Sequence, residues 1–480
     1  MILGIDLGTS AVKAVFCKRR RVVASHSVSL VTTSPEPGWS EQDAAQWLSA
    51  LHEAVRGLLS MPELNGARVS CIGLSGQMHS AVLLDRKLDV LRPCILWNDS
   101  RSHDECSVLR QRVPDIGLLS GVLPLPGFTA PKIMWVARHE PDIHSRIAHV
   151  LLPKDFLGHY LHGNLVTDSS DAAGTLWLDQ KRRRWSRRLC EASSAREEWL
   201  PEIRDGHEIA GYLRPAAAKA LGLEPNIPIA AGGGDAATGA VAIGATEAGT
   251  GFVSLGTSGQ LFMTTSDYTP NPDRFVHAFS HTVPNRWYQM AAMLNGARPL
   301  SWLSGILGRD VSEVVELAAG ADTSRIPLFL PYLTGERSPH GDPHIRGAFY
   351  GLEDHTDTSA ICRSVIDAIA FSFADAVDSF DGQIQKVPHL LAIGGGATSD
   401  LLLQTISDVT GKTLLRARDA DGSPAFGAAL LAGLAAGQIK VSELTIPPET
   451  DRRFVPRPDH GLEGRLAKFR QLYLALKGSV

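Results

Sequence analysis

The chain has no cysteine pair at redox or metal-binding spacing, no membrane-length apolar run and no strong excess of either charge. Six cysteines in 480 residues, Cys17, Cys71, Cys94, Cys106, Cys190 and Cys362, are too scattered for a disulfide framework, which fits a reducing compartment. No stretch of about 18 apolar residues is present, and Met1 leads straight into Ile2-Leu3-Gly4-Ile5-Asp6 without a basic leader. A soluble, cytoplasmic protein with no membrane partner is therefore expected. With 47 Lys and Arg against 51 Asp and Glu, the formal charge is -4, which removes the bulk electrostatic case for a nucleic-acid partner. The basic runs Arg19 to Arg21 and Lys181 to Arg184 have no aromatic stacking platform beside them and read as solvated turns. His-Glu-x-x-His and Gly-x-Ser-x-Gly are missing too, and Gly411-Lys412-Thr413 fails as a P-loop because Ile406 stands where the first glycine is required.

What is present is length enough for two domains and a repeated motif. Residues 2–7, 12–17 and 22–30 read as three short strands, and the spacing of Ala44, Trp47, Leu48, Leu51, Val55, Leu58 and Leu59 predicts an amphipathic helix behind a capping-box-like Ser40-Glu41-Gln42-Asp43. A buried strand over 69–74 follows, so the first half opens βββαβ and delivers Gln77-Met78-His79 at a strand end, where α/β sheets tend to hold ligands. The hexapeptide Ile5-Asp6-Leu7-Gly8-Thr9-Ser10 recurs as Val253-Ser254-Leu255-Gly256-Thr257-Ser258. Its offset divides the chain into domain-sized halves, as duplication would, with a boundary near residue 245: 1–245 and 246–480. In the second half, a strand at 287–293, a helix over 359–380, a strand at 390–393 and helices from Ser399 and Pro424 predict another layered α/β unit.

Successive N–H groups in a Gly-hydroxyl turn form an anion-binding concavity, so Gly8-Thr9-Ser10 and Gly256-Thr257-Ser258 are candidate phosphate loops; singly, each is also an ordinary hairpin turn. Gly232-Gly233-Gly234-Asp235 closes an apolar run, and Asp235 reads either as a helix cap or as a general base. Gly394-Gly395-Gly396 would admit a flat ligand close to the backbone, or is simply a tight strand-to-helix connection. Trp97-Asn98-Asp99 reads as a core aromatic and an Asx turn, His79 as a core histidine unless a ligand claims it, Trp135 as core and Lys132 as near the surface.

With these residues in view, the chain resembles the FGGY carbohydrate kinases of the actin and hexokinase superfamily, and within them the xylulokinase branch. Gly127-Phe128-Thr129-Ala130-Pro131-Lys132-Ile133-Met134-Trp135-Val136 is similar to the first family signature, and Gly347 to Leu352 with Ile361 to Asp367 to the second, with Ala360 in place of a polar residue. The branch resemblance rests on Gln77-Met78-His79, Trp97-Asn98-Asp99, Leu152 to Asp155, Asp168 to Gly174 and Pro331 to His340. It implies two ribonuclease-H-like α/β domains flanking a deep cleft, and ATP-dependent, Mg²⁺-assisted phosphorylation of a ketopentose, D-xylulose first. By residue, it implies Asp235 as the base, Asp6 and Asp235 for the metal, and Gln77, Met78, His79, Trp97, Asp99, Asp235 and Ala236 for the sugar. Gly8, Thr9, Ser10, Gly256, Thr257, Ser258, Gly394, Gly395, Gly396 and Ser399 would serve the nucleotide. The resemblance leaves a homodimer open. Ala236 departs from the branch, which has Asn there to hydrogen-bond the ketose, so another pentulose, a hexulose or a glycerol-like polyol stays open as substrate. A nucleotide-dependent scaffold or sensor of the same superfamily would keep the phosphate loops without needing Asp235 or Gln77 to His79.

Overall fold

The computed structural model describes residues 1–64, 66–380, 382–418, 422–458 and 461–478. Its principal elements in the first half are β1 (Ile2–Leu7), β2 (Ala11–Lys18), β3 (Arg21–Ser29), α1 (Ala44–Leu59), β4 (Cys71–Gly76), α2 (Thr129–His139), α3 (Pro153–His162), β5 (Ile209–Tyr212), β6 (Pro228–Ala230), β7 (Gly233–Gly234) and α4 (Asp235–Ala242). The second half carries β8 (Gly251–Leu255), β9 (Gly259–Thr265), β10 (Val276–Ser280), β11 (Trp287–Met293), α5 (Arg298–Leu307), α6 (Thr358–Asp378), β12 (Leu390–Ile393), α7 (Asp400–Thr410), β13 (Leu414–Ala417), α8 (Pro424–Ala435) and β14 (Thr450–Phe454).

Two seven-stranded mixed sheets follow, in the orders β5-β6-β4-β1-β2-β3, with β7 also on β4, and β10-β11-β9-β8-β12-β13-β14. In each, a hairpin bearing Gly-Thr-Ser (β1–β2, β8–β9) has its first strand parallel to a later strand (β4, β12). The two layered α/β halves implied by the repeat are thus present, with β10 added at the edge of the second. Residues 40–43 depart from the expected capping box. Glu41 and Gln42 pair with Cys94 and Ile95 in a short ladder, and Asp43 alone caps α1 through Ala45 N–H at 2.9 Å.

Between the halves lie α4 and α8. The latter is apolar on every side, the signature of a helix buried all round, and it returns from the second half to pack on the first sheet. Small residues allow the approach: a Cβ on Gly4 would come 1.9 Å from the Ala425 carbonyl oxygen, and one on Gly73 equally close to that of Ala428. The other side of α4 shares a hydrophobic cluster with Phe252 and Leu391 of the second sheet. Arg183 also departs from the expected solvated turn, since it donates to Ser169 Oγ at 2.6 Å, Asp205 at 3.1 Å and the His281 carbonyl at 3.0 Å, tying the halves together. No helix among the described residues is long and apolar enough to cross a membrane.

Candidate active site

Register brings the first-half candidates together. Asp6 lies opposite Ser75 and Ser75 opposite Gly233; one residue on, Leu7, Gly76 and Gly234 align, so the chain leaves three adjacent strands at Gly8, Gln77 and Asp235. The first Gly-Thr-Ser turn is anchored from three sides. Thr9 Oγ1 donates to Gln77 Oε1 at 3.1 Å and accepts from Trp97 Nε1 at 2.8 Å, while the Thr9 carbonyl accepts from Gln42 Nε2 at 2.7 Å. Trp97 is 39% exposed and serves the loop, which corrects its reading as a core aromatic. The Asp99 side chain belongs to a second hydrogen-bond network. Its carboxylate accepts from the Arg101 guanidinium at 2.7 and 2.9 Å and from Ser40 N–H at 2.6 Å, in a buried network that the Trp39 ring covers.

Asp235 is the first residue of α4, with Gly234 before it as the cap residue, so the capping reading is not the one realised. The elbow is pinned: Gly234 N–H donates to Ser170 Oγ at 3.1 Å, Thr238 Oγ1 donates to the Gly234 carbonyl at 3.0 Å, and Thr238 Oγ1 lies 2.8 Å from Ser75 Oγ. Burial, and then the neighbouring charge of Asp6, push the Asp235 carboxyl up to about 7. Ala236 N–H donates to its Oδ1 at 2.8 Å. A carboxyl raised by burial and by a neighbouring carboxylate marks a site short of positive charge. No group of three or more His, Cys, Asp or Glu among the described residues could cage a metal. One or two carboxylates completed by phosphate oxygens and water is nonetheless the donor set that Mg²⁺ takes, so Asp6 and Asp235 fit that ion.

His79 occupies the left-handed region, at φ 70°, uncommon for a residue with a side chain. Three contacts hold it there. Thr129 Oγ1 and the Lys132 ammonium donate to its carbonyl at 2.9 and 3.1 Å, and its Nδ1 lies 2.9 Å from the Gly174 carbonyl, which can only accept. Nδ1 therefore carries the proton. Burial lowers the imidazole to about 3, so it stays neutral and offers Nε2 as an acceptor. The Phe128 ring meets it edge-on at 4.4 Å. Lys132 is fully buried, contrary to its surface reading, and burial lowers it to about 7. Met78 packs beside Gly234, Met78 and His79 both lie against Gly174, and Ala236 follows Asp235 half-buried.

In the second half, the Gly256 and Thr257 carbonyls accept from Ala297 N–H at 2.7 Å and from Gly296 N–H at 3.1 Å, which fixes the Gly256-Thr257-Ser258 turn against the start of α5. Gly394, at φ 90°, and Gly396 pack on Leu255 next to that turn, while Gly394 and Gly395 present bare, exposed backbone. The triple-glycine turn and the second loop thus form one continuous surface. Ser399 Oγ accepts from Leu402 N–H at 3.2 Å and caps α7. Ser254 takes the place in β8 that Asp6 has in β1, so only the first loop brings a carboxylate.

Sequence reasoning missed several groups around this site. Thr129 and Lys132 were visible in the first signature, but their partner, the His79 carbonyl, was not. The buried Lys154 lies 2.5 Å from Asp155, 3.4 Å from Asp168 and 3.8 Å from Asp171, and only the crowding of carboxylates into otherwise apolar segments could have signalled it. His277 and Arg337 reach the same region from the second half.

Comparison with known proteins shows the family. Residues 1–242 match the N-terminal domain model, and 251–436 the C-terminal domain model, of the FGGY family of carbohydrate kinases. The chain is 40% identical to a xylulose kinase of Escherichia coli (strain K12), over 99% of each chain, and 34% identical to one of Bacillus subtilis (strain 168), over 91% of this chain and 88% of that one. Among solved structures it is similar to a "xyloylose kinase" from Brucella ovis, with a TM-score of 0.94 and 40% identity over 99% of both chains. At 20% identity, a glycerol kinase from Plasmodium falciparum shares the fold, with a TM-score of 0.90 over 99% of this chain and 98% of that one. Two layered α/β halves with paired Gly-Thr-Ser turns, matched along nearly the whole chain, place this protein in the FGGY family of carbohydrate kinases.

Proposed function

We propose that the protein phosphorylates D-xylulose at the expense of ATP, with Asp235 as the general base. The observation that carries this reading is Asp235 itself: a carboxyl raised to about 7 by burial and by Asp6, at the convergence of three strand ends. The xylulose kinases of E. coli and B. ovis, each 40% identical over nearly full length, support the choice of sugar.

Phosphoryl transfer is catalysed mainly by positioning and electrostatics. Mg²⁺, when bound by Asp6 and Asp235 through water, would neutralise charge on the terminal phosphates. The backbone turns at Gly8 to Ser10 and Gly256 to Ser258 would direct N–H and hydroxyl donors at the phosphates, and Gly394 to Gly396 would face the adenosine. His79 Nε2 accepts from a sugar hydroxyl. Asp235, ionised, accepts the proton of the terminal hydroxyl as that oxygen attacks the γ-phosphorus; the bond to ADP breaks and the proton leaves on the carboxylate. Ser399 enters through the helix that it caps, and Asp99 by holding Arg101 against the Trp39 ring behind the first loop.

A boundary near residue 245 belongs to the same proposal, supported by the end of α4 at Ala242 and the start of β8 at Gly251. The six cysteines, all buried and unbridged, support a reducing cytoplasm. The test is ADP release with Mg-ATP against a panel of ketoses, polyols and aldonates, alongside Asp235→Ala. D-xylulose should stimulate most, and the substitution should abolish the stimulation. If no sugar stimulates release, or Asp235→Ala keeps its rate, the reading fails.

A further inference from the structure

Arg337 lies in the segment between β11 and α6, and its neighbour Ser338 stitches that segment to the sheet. Ser338 Oγ donates to the Phe275 carbonyl at 2.6 Å and accepts from Ala292 N–H at 3.1 Å, while Arg337 Nε donates to the Ala292 carbonyl at 3.0 Å. The guanidinium has no ion-pair partner among the described residues. Glu336, the preceding residue, lends it a counter-charge without pairing with the guanidinium: its carboxylate accepts from Leu294 N–H at 2.6 Å, Arg337 N–H at 2.8 Å and Asn295 Nδ2 at 3.1 Å. Among the described residues the half-buried guanidinium spends only Nε on the protein, so its terminal N–H donors are left for a ligand that supplies acceptors.

Its surroundings are those of the sugar wall. His277, on β10, is 2% exposed, and neither ring nitrogen has a hydrogen-bond partner. Its ring stacks on Phe279 at 5.2 Å and meets Phe128 edge-on at 5.9 Å, and Phe128 in turn packs on His79 at 4.4 Å. His79, Phe128, His277 and Arg337 therefore form one cluster drawn from both halves. The positive charge of Arg337 falls on both histidines. The charge that acts on Asp235 is that of Asp6, whereas that of Arg337 acts on the two histidines.

We propose that Arg337, backed by His277, is the second half's contribution to sugar recognition, and that its guanidinium takes the acceptor oxygen at the end of the substrate remote from the phosphorylated hydroxyl. That oxygen is the carbonyl region of a ketose, or the carboxylate of an aldonate. The inference rests on the kinase reading above and adds a substrate class to it: polyols carrying a strong acceptor at the far end. A guanidinium offers donors only, so an alditol, whose hydroxyls are weaker acceptors, leaves it poorly matched.

The test is steady-state kinetics on full-length protein with Mg-ATP and D-xylulose, xylitol or D-xylonate, for wild type, Arg337→Met and Arg337→Lys. A hydrogen bond to a charged group corresponds to about tenfold to a hundredfold in kcat/KM. Arg337→Met should raise the D-xylulose KM at least tenfold, leave the ATP KM within about twofold, and bring xylulose down towards xylitol. Arg337→Lys, which keeps the charge, should recover part of the loss and retain the wild-type melting temperature. An active wild type whose two variants keep the xylulose KM within about twofold overturns the proposal, as does a rise in ATP KM equal to that for the sugar. A wild type inactive on the whole panel overturns the kinase reading and this one together.

Discussion

Replacing Asp235 by Asn removes a carboxylate that the fold holds under electrostatic strain, and the structure sets the sign and size of two effects. Its carboxyl is raised from 3.8 to about 7 by burial and by Asp6. Unfolded, the group ionises near its ordinary value; folded, it keeps its proton until about pH 7. Between those values the native state binds more protons than the unfolded one, so stability falls as pH rises across that window and the deficit is constant above it. Three units correspond to about 4 kcal/mol, and the carboxylate's partial exposure screens this to about 2 kcal/mol. Asp235→Asn should therefore be more stable than wild type in EDTA, by an apparent Tm difference of a few degrees at pH 8 that shrinks towards pH 5. The same variant should lose about a hundredfold to ten-thousandfold in kcat, the usual contribution of a positioned base. Scanning fluorimetry at the two pH values, with ADP-release kinetics on the same samples, gives both readouts. A Tm difference independent of pH refutes the desolvated carboxylate, and retained kcat refutes the base.

Asp6→Asn removes the like charge, so the acidic limb of the kcat/KM profile should move to lower pH while the Mg²⁺ concentration for half-maximal rate rises; a pH–rate series at several Mg²⁺ concentrations checks both. Thr129→Val takes one of two donors from the His79 carbonyl, about 1 kcal/mol, and should raise the sugar KM roughly fivefold at unchanged ATP KM, with Thr129→Ser restoring it. Gly4→Ala drives a methyl group into the Ala425 carbonyl and should cost about 1–3 kcal/mol or more, visible as a lowered Tm; an unchanged Tm means that α8 does not press on β1.

Local pattern made the backbone parts of this molecule legible. The first three strands, α1 and the strand Leu390–Ile393 follow from alternation and helical spacing, and both Gly-Thr-Ser turns from composition. What it could not supply was the partner of each element. The apolar residues of α8 announce burial on every side, yet nothing in them says that the helix crosses back to β1 and β4, because that contact depends on how the halves are stacked. Lys132 was misplaced for the same reason. A single cation among Ile133, Met134 and Trp135 reads as surface until the His79 carbonyl arrives from a distant strand end to accept its hydrogen bond. Ala236 carries the argument into function. The family resemblance implies an amide at that position, which Ala236 lacks, and so leaves the sugar open, as though selectivity had to be restored by a neighbour in the chain. Selectivity in a polar pocket belongs to donors in space, and on the proposal made above the guanidinium of Arg337 supplies such a donor from the other half, so a ketose can still be told from a polyol without the amide. Adding it back as Ala236→Asn should then lower the xylulose KM only modestly, whereas removing Arg337 in that background should still raise it tenfold or more, and an Ala236→Asn enzyme indifferent to Arg337 would show that the amide alone decides.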